Sequence, residues 1–183
     1  NIKPDFICIA KALSSGYLPI GGVMISDRVA EGLINEGGEL QHGYTYSGHP
    51  VTCAAALAVL EIMEREHIVE RVKNDIGPYL QAKWLALGEH PLVGEARMVG
   101  LMGALELTPD KATRAPFDVK KGTVGLMCRE ISFASGLIMR HVGDSMIISP
   151  PLVISRDEVD ELVTKARDVL DSTYAAAKEA GYL

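Results

Sequence analysis

Apolar residues first run together at Phe6-Ile7-Cys8-Ile9-Ala10, a stretch that predicts a buried strand. Ser14-Ser15-Gly16-Tyr17 reads as a turn and Gly21–Ser26 as a second strand. Asp27–Asn35 predicts a short helix, capped by Ser26 or Asp27 and broken by Gly37-Gly38. A polar, aromatic loop from Gln41 leads to Pro50, which suits the first position of a helix. Val51–Glu66 starts Ala-rich and apolar on most faces, which predicts a helix buried deep in a core. Val69, Val72, Ile76, Leu80, Trp84 and Leu87 recur at helical spacing, and Gly77-Pro78 predicts a kink or break among them.

The texture changes at Gly88–Pro91, which sets an expected boundary near residue 90 between two domains, 1–90 and 91–183. Beyond it, Val99, Leu101, Gly103, Leu105 and Leu107 alternate with other residues, the period of a strand. Thr108–Thr123 carries turn formers and reads as a surface loop. Val124–Ala134 predicts a helix ending near Gly136. Leu137–Val142 and Met146–Ser149 predict strands joined at Gly143-Asp144. Ser155 and Glu158 form a capping box ahead of an amphipathic helix marked by Val159, Leu162, Val163, Ala166, Val169, Leu170 and Thr173. The first half therefore reads as α/β layering and the second as a small α+β domain.

Composition narrows the function classes. With 48% hydrophobic and 23% charged residues, the 183-residue chain is neither disordered nor a fibrous rod. Its formal net charge of −6 argues against bulk nucleic-acid binding. No apolar run approaches the roughly 20 residues that a membrane helix needs, and no secretory signal pattern is visible. Cys8, Cys53 and Cys128 each lie in an apolar stretch without a C-x-x-C pair, which predicts buried, reduced thiols in a cytoplasmic protein. The five histidines show no metal-binding spacing, so no metal is expected. The chain opens on Asn1 and enters a strand almost at once, which suggests a piece of a longer protein.

Three residues could carry chemistry. Lys11 follows the first strand, where partial desolvation would lower its pKa and favour an amine nucleophile; a strand-end lysine reaching solvent is the alternative. Thr45 lies in the loop before the Pro50 helix, a place suited either to a phosphate or to ordinary capping. Arg140 stands in an apolar strand and, if buried, needs an anionic partner, either a carboxylate of the chain or one of a substrate.

The segment from Lys3 through Ser26, containing Ile9-Ala10-Lys11-Ala12-Leu13 and Pro19-Ile20-Gly21-Gly22, resembles the lysine segment of class III, pyridoxal-phosphate-dependent aminotransferases. His42-Gly-Tyr-Thr-Tyr-Ser-Gly-His-Pro50 resembles the phosphate loop of that family, with Ser47-Gly48-His49-Pro50 closest to its ω-amine:pyruvate branch. Gly136–Asp144 and Ile148–Leu152 resemble its C-terminal domain, and the stretches His90–Gly103 and Ile147–Ser155 resemble the putrescine:pyruvate aminotransferases. The resemblance implies the C-terminal part of a fold-type I large domain plus a small α+β domain. It implies that Lys11 binds pyridoxal 5'-phosphate as a Schiff base and moves the proton, and that Thr45 binds the cofactor phosphate. Arg140 would pair with a substrate carboxylate, and Tyr17 would line the pocket. The implied substrates are a terminal amine such as putrescine and pyruvate. The implied assembly is a homodimer with shared sites, or a dimer of dimers. Other readings are a 4-aminobutyrate, ornithine or β-alanine aminotransferase, an aminomutase, or a truncated non-catalytic chain. Family members carry an upstream half of the cofactor site that is not found in this sequence, so the 183-residue chain alone is expected to be inactive.

Overall fold

The computed structural model describes residues 2–183, which form two compact units, up to His67 and from Ile68.

In the first unit, β1 (Phe6–Ala10) pairs antiparallel with β2 (Gly21–Ile25), with Phe6 opposite Ile25 and Ala10 opposite Gly21. Lys11–Leu13 forms one 3₁₀ turn directly after β1. Helix α1 (Asp27–Asn35) starts where the Ser26 hydroxyl accepts from the Val29 N–H. Asp5 fastens the entry to β1 against this start, accepting from the Ser26 hydroxyl at 2.8 Å and from Arg28 at 2.5 Å. The guanidinium and hydroxyl together hold the Asp5 carboxyl below the usual carboxylate range. Helix α2 (Pro50–Arg65) begins at Pro50, whose missing N–H costs nothing at that position. It touches the Lys11–Leu13 turn.

The burial expected here is not observed. Phe6, Val23 and Met24 are each more than half exposed, and Ala56 is the one buried residue of α2. Continuous apolar runs signal a strand or helix meant to be covered on both sides, and the described residues supply no such cover. Cys8 is likewise exposed and Cys53 partly so; Cys128 alone is buried.

The second unit has its own core. Helix α3 (Ile68–Arg71) continues through a π-helical turn, Val72–Ile76, into α4 (Gly77–Ala86). The expected interruption at Gly77-Pro78 thus takes the form of a wide turn just before Gly77, with Pro78 in the first turn of α4, where its missing N–H is tolerated. A Cβ on Gly77 would lie 2.2 Å from the Val72 carbonyl oxygen, so only glycine closes this turn. Because this helical stretch and β3 share the core, the compact units divide at His67/Ile68, ahead of the change in texture near residue 90.

Four antiparallel strands follow in the order β3-β4-β6-β5: β3 (Val93–Val99), β4 (Met102–Leu107), β5 (Arg140–Val142) and β6 (Ser145–Ile148). The alternation read as one strand over Val99–Leu107 is in fact the end of β3, a turn at Gly100-Leu101, and β4. Met98, Gly103, Leu105, Leu107, Met146 and Ile148 face a core shared with Leu80 and Trp84 of α4. Val124 and Cys128 of α5 (Thr123–Ala134) and Val159, Ala166, Val169 and Leu170 of α6 (Arg156–Glu179) complete it. Glu95, Arg97, Glu106 and Ser145 form a polar network, with Arg97 to Glu106 at 3.3 Å and Ser145 to Glu106 at 2.6 Å.

The end of α5 and the start of α6 both fall on signals read from sequence. Gly136 (φ +71°) closes α5, its N–H bonding to Phe133 while the Leu137 N–H bonds to Ser132, the pattern of a Schellman cap. Ser155 caps α6 through the reciprocal Ser155–Glu158 capping box.

Candidate active site

Lys11 stands at the end of β1, in the 3₁₀ turn, with a left-handed backbone (φ +53°). That conformation is unfavourable for a side chain with a Cβ, and it is held by the β1–β2 pairing on one side and by the Ser14 N–H bond to the Lys11 carbonyl on the other. The amine is exposed, so the desolvation expected for it is not supplied by the described residues. Tyr17 follows the same turn, its N–H bonded to the Ser14 carbonyl, and its side chain is 82% exposed.

Thr45 lies in the turn Tyr44–Ser47. Ser47 closes it twice, through its N–H to the Tyr44 carbonyl and through its hydroxyl, which accepts from the Tyr44 N–H at 2.9 Å. Gly48 follows in the left-handed region and His49 caps α2, its Nδ1 accepting from Val51. The order of these residues matters: the turn leaves the Thr45 hydroxyl without a bond inside the described residues while its neighbours hold the loop. Among the described residues the Lys11 amine and the Thr45 hydroxyl have no side-chain partner, and an amine and a hydroxyl are the donor types that an aldehyde and a phosphate require, so the residues present fit pyridoxal phosphate in chemical type.

Arg140 opens β5, the edge strand of the four-stranded sheet, opposite Ile147. It is exposed, so the buried salt bridge weighed for it is not formed. Among the described residues its guanidinium faces no carboxylate within ion-pair distance.

Lys11, Tyr17 and Thr45 belong to the first unit and Arg140 to the second. Sequence reasoning missed two supporting groups. Asp5 ties β1 to α1, and Asp144 accepts from the Gly122 and Gly125 N–H groups at the start of α5. Asp144 was visible only as the second residue of a turn; its partners stand some twenty positions upstream, and no local pattern encodes such a bond. Among the described residues no cluster of ligating side chains suits a metal, and no helix is long and apolar enough to cross a membrane.

Comparison with known proteins agrees with the resemblance in sequence. The family model "Aminotransferase class-III" matches residues 1–170. A putrescine–pyruvate aminotransferase of Pseudomonas aeruginosa is 56% identical over 173 residues, covering 94% of this chain and 37% of that protein. A chloroplastic gamma aminobutyrate transaminase 3 of Solanum lycopersicum is 40% identical, covering 98% of this chain and 35% of that protein. Among solved structures, a thermostable omega transaminase 6-fold mutant from Pseudomonas jessenii superposes with a TM-score of 0.88 at 38% identity, over 93% of this chain and 38% of that one. The chain thus spans a little over a third of the length of these relatives. Class-III aminotransferases are fold-type I enzymes that depend on pyridoxal phosphate. The matched family model, the relatives and the superposed folds agree on one assignment: this chain belongs to the class-III aminotransferases.

Proposed function

We propose that the protein to which this chain belongs is a transaminase that moves an amino group from a terminal amine, putrescine in the first instance, to pyruvate. The 56% identity to a putrescine–pyruvate aminotransferase carries this reading of the substrates. Pyridoxal phosphate, when bound, supplies the electron sink that makes the donor's amine-bearing carbon acidic.

The chain's own residues have distinct tasks. Lys11 Nζ would hold the cofactor covalently and, as a free amine, would take the proton from the donor carbon. In the return half it hands a proton to the former keto carbon of the acceptor. The balance is one amine and one keto acid in, one aldehyde and one amino acid out. The Thr45 hydroxyl would hold the cofactor phosphate by donating to it. The Arg140 guanidinium offers two parallel N–H donors to the carboxylate of pyruvate, while the donor diamine brings no carboxylate to it. Tyr17 lines the pocket beside Lys11. The unit up to His67 serves as the end of the large cofactor-binding domain and the unit from Ile68 as the small domain. A homodimer with shared sites and a cytoplasmic setting complete the reading.

A second reading, a 4-aminobutyrate donor, is favoured by the 40% identity to a gamma aminobutyrate transaminase. Initial rates of the intact protein with putrescine, cadaverine, 4-aminobutyrate, β-alanine and ornithine, each against pyruvate, decide between them. Putrescine is expected to give the highest kcat/KM. A preference for 4-aminobutyrate would replace the diamine reading.

A further inference from the structure

We infer that Asp144 is a positioning residue for Arg140, fastening the hairpin that carries it to the start of α5; this rests on the proposed carboxylate-binding role of Arg140. The strand β5 is only three residues long and lies at a sheet edge, with β6 its single partner. An edge strand this short has few backbone bonds of its own to resist fraying. Among the described residues Arg140 has no side-chain hydrogen-bond or ion-pair partner, so its place depends on the backbone beneath it.

That backbone is pinned at its turn. The two carboxylate oxygens of Asp144 accept separately, Oδ2 from the Gly122 N–H and Oδ1 from the Gly125 N–H, each at 2.9 Å. A carboxylate at a helix N-terminus satisfies two donors that have no partner in the helix and meets the positive end of its dipole. The Asp144 carbonyl also accepts from the Leu107 N–H at 3.0 Å, binding the same residue to the end of β4. Glycines make the approach possible. A Cβ on Gly125 would lie 2.1 Å from the Gly143 carbonyl oxygen, and Gly143 itself takes φ +59°. A Cβ on Gly143 would lie 3.0 Å from Cε of Lys121, whose aliphatic chain packs against this glycine. Four residues along the chain from this anchor, Arg140 projects from the strand the turn holds in register with β6.

Asp144→Asn keeps the shape but turns one acceptor into a donor facing an N–H. In the intact enzyme we expect it to raise KM for an α-keto acid acceptor about tenfold, the scale of a small misplacement of a binding group. KM for a diamine donor should stay within about twofold, and amide exchange at β5 should accelerate. An unchanged acceptor KM, or an equal rise for donor and acceptor, would overturn the inference, since a merely structural role moves both. Arg140→Gln, measured alongside, separates the two levels. If it leaves the acceptor KM unchanged, the reading of Arg140 fails and the inference with it. If it raises that KM and Asp144→Asn does not, only the fastening fails. In the wild-type protein the Gly122 and Gly125 amides should exchange as slowly as those of β6; fast exchange at both would overturn the clamp without any variant.

Discussion

Lys11, the proposed point of covalent attachment, holds a local conformation that costs the fold. Its φ of +53° is a region that a side chain with a Cβ occupies at roughly 1–2 kcal/mol. Glycine bears no such cost, so Lys11→Gly should leave the intact protein about 1 kcal/mol more stable than Lys11→Ala. Both variants should lose transamination. Chemical denaturation of the pair, free of cofactor, checks the first expectation; equal midpoints would mean that the turn relaxes around alanine. Trp84 makes the opposite point in the core. It is fully buried beneath Gly103, where a Cβ would sit 2.8 Å from its Nε1, and Trp84→Ala should cost about 3–5 kcal/mol in the same assay.

At the scale of elements, His90 joins the helical stretch to α6. Its ring is 1% exposed; Nδ1 accepts from the Leu92 N–H and Nε2 lies 3.1 Å from Asp171. Burial lowers its pKa below 6.5 and outweighs the pull of the exposed Asp171 carboxylate, with Arg167 and Lys111 adding repulsion. Unfolded chain then binds the proton more readily than folded chain. The neutral ring's stabilisation is therefore complete above 6.5 and is lost as pH falls from there through the lower folded value. Amide exchange of Leu92 and Val93, corrected for intrinsic rates, should quicken as pH drops from about 7 to 5, and His90→Asn should flatten that dependence. Elements were legible where local chemistry sets them. Pro50 starts α2, Ser155 with Glu158 starts α6, and Gly136 ends α5 as their residue types require. Strand β3 was missed because a bulge between Val93 and Glu95 breaks the period-2 pattern that would have revealed it. The candidate site was legible as residue types, Lys11, Thr45 and Arg140. Its supports were not, since the Asp144 clamp and the Asp5 tie join residues about twenty positions apart.

For the whole molecule, burial divides the chain unevenly. The second unit closes a core around Ile76, Leu80, Trp84, Leu105, Met146 and Leu170, all fully buried. In the first unit the apolar sides of β1, β2 and α2 stay largely exposed. Limited proteolysis of the 183-residue chain, read by mass spectrometry, should therefore remove the segment before Ile68 first and leave a resistant product that begins near it. Cleavage first within α4 or α6 would contradict this division of stability. The chain spans about 37% of the putrescine–pyruvate aminotransferase it resembles, and Lys11, the proposed point of covalent attachment, lies in the less buried of its two units. That step can be tested without knowing the amine donor. Borohydride reduction of the intact holoprotein, followed by digestion and peptide sequencing, should find the pyridoxyl label on Lys11. A label on Lys3, or on any lysine other than Lys11, would contradict the account.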